Sequence, residues 1–152
     1  MTKPIYVLNG PNLNRLGKRE PEIYGMTTLA EIEAMCREAA PGRPIEFRQS
    51  NAEHQLIDWI HEAIDRGAGI VINPAGLTFS SISIMDALKM FPGPIFELHI
   101  GNLHRRESIY HNSLIARVAT AVLMGLGADG YPTAVAAMAR LLGAGASSAA
   151  RT

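Results

Sequence analysis

Apolar positions along the chain switch repeatedly between short continuous runs and helical spacing. Pro4-Ile5-Tyr6-Val7-Leu8 is an apolar run of strand length, ended by polar residues punctuated with Gly and Pro. Thr28 and Glu31 then have capping-box spacing, and Leu29, Ile32, Met35, Cys36 and Ala39 recur at helical intervals as far as Pro41. Pro44 to Ser50 alternates as a strand does, after which Leu56, Ile57, Ile60, Ala63 and Ile64 restore the helical period up to Gly67. Gly69-Ile70-Val71-Ile72-Asn73 has the unbroken apolar character of a parallel strand covered on both faces, and Pro74-Ala75-Gly76 stops it. Ser80 or Ser81 caps a helix running to about Met90. Pro94 to Ile100 predicts a fourth strand, Val118 to Met124 a fifth, and Pro132 to Leu142 a last helix. Strand and helix in alternation predict an α/β fold, a doubly wound five-stranded parallel sheet in a single domain over residues 1–142. Residues 143–152, rich in Gly, Ala and Ser, read as a flexible tail.

Polar residues gather at matching places in this alternation. Asn12 to Tyr24 follow the first strand, Gln49 to Glu53 the second, Asn73 to Ser81 the third and His99 to His111 the fourth. All four clusters fall at strand carboxyl ends, where open α/β sheets bind ligands. One crevice along that edge would collect them.

Composition narrows the partners. The chain has 152 residues, enough for a substantial core without disulfides, and the single Cys36 has no internal partner. With 14 basic and 14 acidic residues there is no positive field to suggest nucleic acid or an anionic membrane. Apolar stretches such as Ala119 to Met124 are too short to span a bilayer, and Met1-Thr2-Lys3-Pro4 does not open a signal peptide. The expectation is a cytoplasmic protein whose partners are a small-molecule substrate and copies of itself.

The first loop carries the most suggestive chemistry. Tyr24 lies five residues after Arg19, across a Glu-Pro-Glu segment expected to be extended or turned rather than helical. A free phenol has a pKa of about 10, so ionising it near neutrality needs a depression of roughly three units, or roughly 4 kcal/mol. A partly desolvated guanidinium beside it supplies much of that. A tyrosinate so formed is a competent base for a proton on carbon next to a carbonyl, and Asn12 can assist through its amide or a water. The alternative is that Tyr24 packs its ring and Arg19 pairs with Glu20 or Glu22. Glu97 and His99 are two apart, so on a strand they share a face. A carboxylate can orient the imidazole there as a general acid for a departing hydroxyl, or the two can be an ordinary surface pair. His99, His104 and His111 match no zinc spacing, and neither a Walker A loop nor a Gly-x-Gly-x-x-Gly turn follows the first strand. No metal and no nucleotide cofactor is expected.

Taken together, Leu8-Asn9-Gly10-Pro11-Asn12-Leu13-Asn14, Arg19-Glu20-Pro21-Glu22-Ile23-Tyr24-Gly25, Gln49-Ser50-Asn51, Ile72-Asn73-Pro74, Glu97-Leu98-His99-Ile100 and Gly125-Leu126-Gly127 resemble the type II 3-dehydroquinate dehydratases. The resemblance covers about residues 5 to 142 and implies a flavodoxin-like fold. It implies elimination of water from 3-dehydroquinate to 3-dehydroshikimate by an anti route through an enolate, without Schiff base, metal or other cofactor, in shikimate or quinate metabolism. By resemblance, Tyr24 is the base and Arg19 lowers its pKa. Asn12 holds the water that stabilises the enolate, His99 protonates the leaving hydroxyl, and Glu97 orients His99. Asn73 contacts substrate, the backbone amides of Ile100 and Gly101 receive a carboxylate, and Asp86 reaches into a neighbouring subunit's site. A homo-oligomer built from trimers, up to a dodecamer, follows from the same resemblance.

The chain departs from that pattern in its substrate-reading residues. Phe79 stands where the family usually has a His that hydrogen-bonds a substrate hydroxyl, Gly101 where a Ser is usual and Tyr110 where an Arg is usual. Arg105 or Arg106 is positioned in sequence to compensate for the last. His54 adds bulk where the family often has Gly or another small residue. Three readings therefore stand: a 3-dehydroquinate dehydratase with an altered shell, a paralogue performing the same elimination on a related cyclic β-hydroxy ketone, and a non-catalytic binding paralogue.

Overall fold

The computed structural model describes residues 2–18 and 20–143, with the side chains of Ile23 and Tyr24 left aside. Five strands, β1 (Ile5–Asn9), β2 (Ile45–Gln49), β3 (Gly69–Asn73), β4 (Ile95–His99) and β5 (Ala121–Met124), form one parallel sheet in the order β2-β1-β3-β4-β5. After the one-turn helix α1 (Pro21–Tyr24) come α2 (Leu29–Ala39), α3 (Glu53–Arg66), α4 (Ile82–Lys89) and α5 (Gly130–Gly143). Alternate residues of each strand point to opposite faces. Ile5, Val7, Val71, Phe96 and Leu98 therefore pack with Ile32 and Cys36 of α2 and Tyr131, Val135 and Met138 of α5. Tyr6, Leu8, Ile70 and Ile72 pack on the other face with Leu56 and Ile60 of α3 and Ile84 and Leu88 of α4. Helices on both faces bury β1, β3 and β4 along their whole length, which is why these strands read as unbroken apolar runs. No described helix is long and apolar enough to cross a membrane.

Local signals set the helix starts. Thr28 and Glu31 form the reciprocal capping box, with Glu31 N–H donating to Thr28 Oγ1 and Thr28 N–H to Glu31 Oε1. Ser81, of the two candidate serines, caps α4 by accepting from the Ile84 N–H at 2.9 Å, and its own hydroxyl donates to Glu53 at the start of α3. At the β2 edge, Arg48 bridges Glu46 and Glu62 and lies over the rings of Tyr6 and Trp59, tying the outer strand to α3.

Two expectations are corrected. The fifth strand begins at Ala121, not Val118. Val118 closes the preceding turn, donating to the Ile115 carbonyl, and with Ala119 its side chain joins the α3–α4 core, so their apolar character serves packing and not pairing. The Glu-Pro-Glu segment is not extended or merely turned: Pro21 to Tyr24 make one helical turn, closed by Gly25 N–H on the Pro21 carbonyl at 2.8 Å. Proline disfavours the right-handed helical conformation at the residue before it, and Glu20 lies outside that region, at φ 36°. Proline itself is well suited to the first helical position. The proposed tail lies outside the described residues from 144 onward.

β1 and β3 are neighbours, yet the chain leaves β1 toward β2 on one side and later proceeds from β3 to β4 on the other. A crevice opens at this reversal, at the strands' carboxyl ends. The two strands close tightly beneath it. Gly10 N–H donates to the Asn73 carbonyl at 2.8 Å, and a Cβ at residue 10 would lie 2.3 Å from the Pro74 carbonyl oxygen. Only glycine fits there.

Candidate active site

A cleft of about 200 Å³ occupies the reversal. Its lining takes Pro11 and Asn12 from the loop after β1, Asn73 from the end of β3, Phe79, Arg106 and Tyr110 from later loops, and Ile100 and Gly101 beside His99 at the end of β4. The crevice expected from the sequence is thus present but gathers residues from three of the four strand ends; the Gln49 to Glu53 cluster after β2 does not line it.

The strongest geometry belongs to Glu97 and His99. Both side chains project from the same face of β4 and both are buried. Glu97 Oε2 lies 2.5 Å from His99 Nε2, so this is no surface pair. Ser113 Oγ donates to both carboxyl oxygens at 2.9 and 2.8 Å and itself accepts from the Ala116 N–H. A carboxylate only accepts, so Nε2–H is the donor to Glu97 and Nδ1 is the ring nitrogen outside the pair. An imidazole so held has a fixed plane and one nitrogen available to a ligand.

The loop of Asn12 is held from the next strand. Asn12 takes the left-handed conformation, φ 73°, and its N–H donates to Asn51 Oδ1 at 2.9 Å. Gln49 Nε2 in turn donates to Asn51 Oδ1 and to the Gly10 carbonyl, each at 3.2 Å. The Gln-Ser-Asn motif therefore supports the loop rather than touching a ligand directly.

Asn73 is fixed by a buried chain of hydrogen bonds. Its Nδ2 donates to the Tyr131 hydroxyl at 2.9 Å, and that hydroxyl donates to Asn9 Oδ1 at 2.7 Å. Asn73 Oδ1 accepts from the Ala75 N–H, and Asn9 Nδ2 donates to the Arg48 carbonyl. With both ends satisfied, the Asn73 amide has one N–H left for the cleft. Burial pushes the Tyr131 phenol above its ordinary value, partly opposed by the bond from Asn73, so it stays a neutral donor.

The remaining expected residues divide clearly. Phe79, Arg106 and Tyr110 line the cleft, with the Arg106 guanidinium stacked on the Tyr110 ring. Arg105 does not line it. Gly101 has no atom within 4 Å of where a Cβ would stand, so a side chain would be accommodated there. Asp86 is not brought in: it is exposed on α4 and 3.7 Å from Lys89. His54 lies exposed in the first turn of α3, away from the cleft lining. Arg19 and the side chain of Tyr24 lie outside the described residues, although Tyr24 ends α1. The rings of His104 and His111 are 5.6 Å apart, but no group of three or more metal-ligating side chains converges among the described residues.

The family model described as Dehydroquinase class II matches residues 3–139. The chain belongs to that family. The 3-dehydroquinate dehydratase of Chelativorans sp. strain BNC1 is 54% identical over 145 residues, covering 93% of this chain and 100% of that one. The 3-dehydroquinate dehydratase of Streptomyces coelicolor is 50% identical, covering 96% and 95% respectively. Among solved structures, the type II dehydroquinase of Propionibacterium acnes superposes with a TM-score of 0.85 at 43% identity, over 92% of this chain and 98% of that one. As a class II dehydroquinase, the chain is a lyase of the flavodoxin-like fold.

Sequence reasoning missed Ser113 and Tyr131 in this dehydroquinase. Ser113 left no readable signal, standing in an irregular loop 16 residues from its partner. Tyr131 left an indirect one: Asn9 and Asn73 end two buried strands and require a polar partner from the layer above.

Proposed function

We propose that this protein is a 3-dehydroquinate dehydratase acting in shikimate or quinate metabolism. The observation that carries the reading is the buried Glu97–His99 pair, braced by the half-buried Ser113, opening on a cleft at the strand ends. Tyr24, as phenolate beside Arg19, takes the proton from the carbon next to the ketone. The C–H electron pair moves into the carbonyl to give an enolate, stabilised by a water that Asn12 holds. Collapse of the enolate forms the ring double bond and breaks the β-carbon–oxygen bond on the opposite face. His99 gives that oxygen a proton from Nδ1 and releases it as water, while Glu97 keeps the imidazole plane fixed. Asn73, Arg106 and the Ile100–Gly101 backbone hold the substrate, with Phe79 and Tyr110 as an apolar wall. Asp86 completes the site from a neighbouring copy, in a trimer-based homo-oligomer that can build to a dodecamer in the cytoplasm.

Purified protein incubated with 3-dehydroquinate should produce the ultraviolet absorbance of a conjugated enone. Tyr24→Phe should keep the fold and lose turnover by about 10²- to 10⁴-fold, the range for removing a general base. Absence of any enone at high enzyme concentration would overturn the assignment.

A further inference from the structure

The cleft wall beside His99 is built from stacked rings. Phe79, which ends the turn after β3, lies 6.3 Å from the His99 imidazole with the planes 26° apart. Tyr110 meets Phe79 edge to face at 5.4 Å and 77°, and the Arg106 guanidinium lies 3.9 Å from the Tyr110 centroid. These separations fall within the attractive range for aromatic and cation–π pairs. All four residues line one cleft, so they form a continuous column from a buried imidazole to a half-buried guanidinium.

This column divides the cleft by chemistry. Phe79 offers neither donor nor acceptor, whereas Asn12, Asn73 and the strand-end backbone in the same lining offer both. Arg106 is the one permanently charged side chain among the described lining residues, and its stacking on Tyr110 fixes where it stands. A matching ligand is an anionic ring compound with one polar edge and one edge of C–H groups.

We propose that Phe79 and Tyr110 set the selectivity of the cleft, admitting cyclic β-hydroxy keto acids whether or not they bear ring hydroxyls beyond the one eliminated. This rests on the dehydratase reading and extends it to a substrate class. An apolar surface rejects a ligand that merely adds a hydroxyl by only about 10²-fold. A surface built to hydrogen-bond that hydroxyl rejects the analogue lacking it by about 10⁴- to 10⁵-fold.

The test measures kcat/KM for 3-dehydroquinate and for its 4,5-dideoxy analogue, both followed through enone formation, in wild type, Phe79→His and Phe79→Leu. Wild type should favour neither compound by more than about 10²-fold. Phe79→His, which places a donor on the wall, should raise the ratio toward 3-dehydroquinate by about tenfold, and Phe79→Leu should leave it near wild type. A wild-type preference for 3-dehydroquinate above about 10²-fold, or a ratio unmoved by Phe79→His, overturns the inference while the dehydratase reading stands. Wild type turning over neither compound overturns both. Should circular dichroism show Phe79→His unfolded, the wild-type ratio and its retention in Phe79→Leu decide the matter.

Discussion

Tyr131→Phe isolates the buried polar chain beneath the cleft, because it deletes one oxygen and leaves the ring. Tyr131 and Asn9 are fully buried and Asn73 is 4% exposed, so water cannot replace what is lost without entering the core. The substitution leaves Asn9 Oδ1 without its 2.7 Å donor and Asn73 Nδ2 without its 2.9 Å acceptor. An unsatisfied buried group costs about 1–3 kcal/mol, so two give about 2–6 kcal/mol. Two effects pull this down. Phe buries without the desolvation cost of a phenol, and Asn9 and Asn73 are register partners on adjacent strands, close enough for their amides to move toward each other. A net loss of about 2 kcal/mol is the expected value. With a urea slope of about 2 kcal/mol per molar, the unfolding midpoint should fall by about 1 M at unchanged slope. In the cleft, the Asn73 amide loses one of its two anchors, so KM for 3-dehydroquinate should rise several-fold while kcat, which the proposed reaction assigns to His99 and Tyr24, changes less. A midpoint shift under about 0.2 M with unaltered KM would show that the hydroxyl is not needed to position Asn73.

Two further outcomes follow from buried groups. Ser113→Ala removes the donor to both Glu97 oxygens and should cost about 1–3 kcal/mol in a denaturation experiment. Its kcat should drop about tenfold with KM nearly constant, because the imidazole and not the substrate loses its support. Burial pushes the Cys36 thiol up to about 12, with Glu33 adding to the shift. The folded state thus favours the neutral thiol, and that stability is intact below the unfolded pKa of about 8.5 and is lost as pH rises toward 12, at up to about 1.4 kcal/mol per unit. Urea midpoints measured from pH 8 to 11 should fall more steeply for wild type than for Cys36→Ala, and Cys36 should react with a thiol reagent only after denaturant is added.

Legibility in the sequence followed burial. β1 and β3 were readable because both faces are covered, which forces unbroken apolar runs. The end of the fourth loop was not, because Val118 and Ala119 are apolar for a packing reason that mimics a strand. Period-two geometry placed Glu97 and His99 together, since neighbours on a strand face are set by covalent spacing alone. Ser113 and Tyr131 reach their partners only through tertiary folding, Tyr131 across 122 residues to Asn9, and no local pattern encodes that. Asp86 marks the other limit: the resemblance singles it out, but within one chain it stays exposed on α4, outside the cleft lining.

The two halves of the proposed reaction rest on different kinds of structure. The acid half is set by strands. Glu97 and His99 are consecutive same-face positions of a fully buried β4, and their support from Ser113 is likewise internal. Asn73 ends β3 and is locked from beneath by α5. The base half is carried by a connection bracketed by Gly17 at φ 85° and Gly25 at φ 79°, conformations open to glycine and costly for other residues. That connection holds one short helical turn and follows the loop of Asn12, which lines the cleft and is held by Asn51. Substitutions under the sheet edge should therefore act on binding and proton donation together with stability, because the same buried contacts serve both. Substitutions at Arg19 or Tyr24 should change the first proton transfer with little cost to the fold. Comparing ΔΔG of unfolding with ΔΔG‡ across Tyr131→Phe, Ser113→Ala and Tyr24→Phe measures this division directly: the first two should move both quantities and the third only the second.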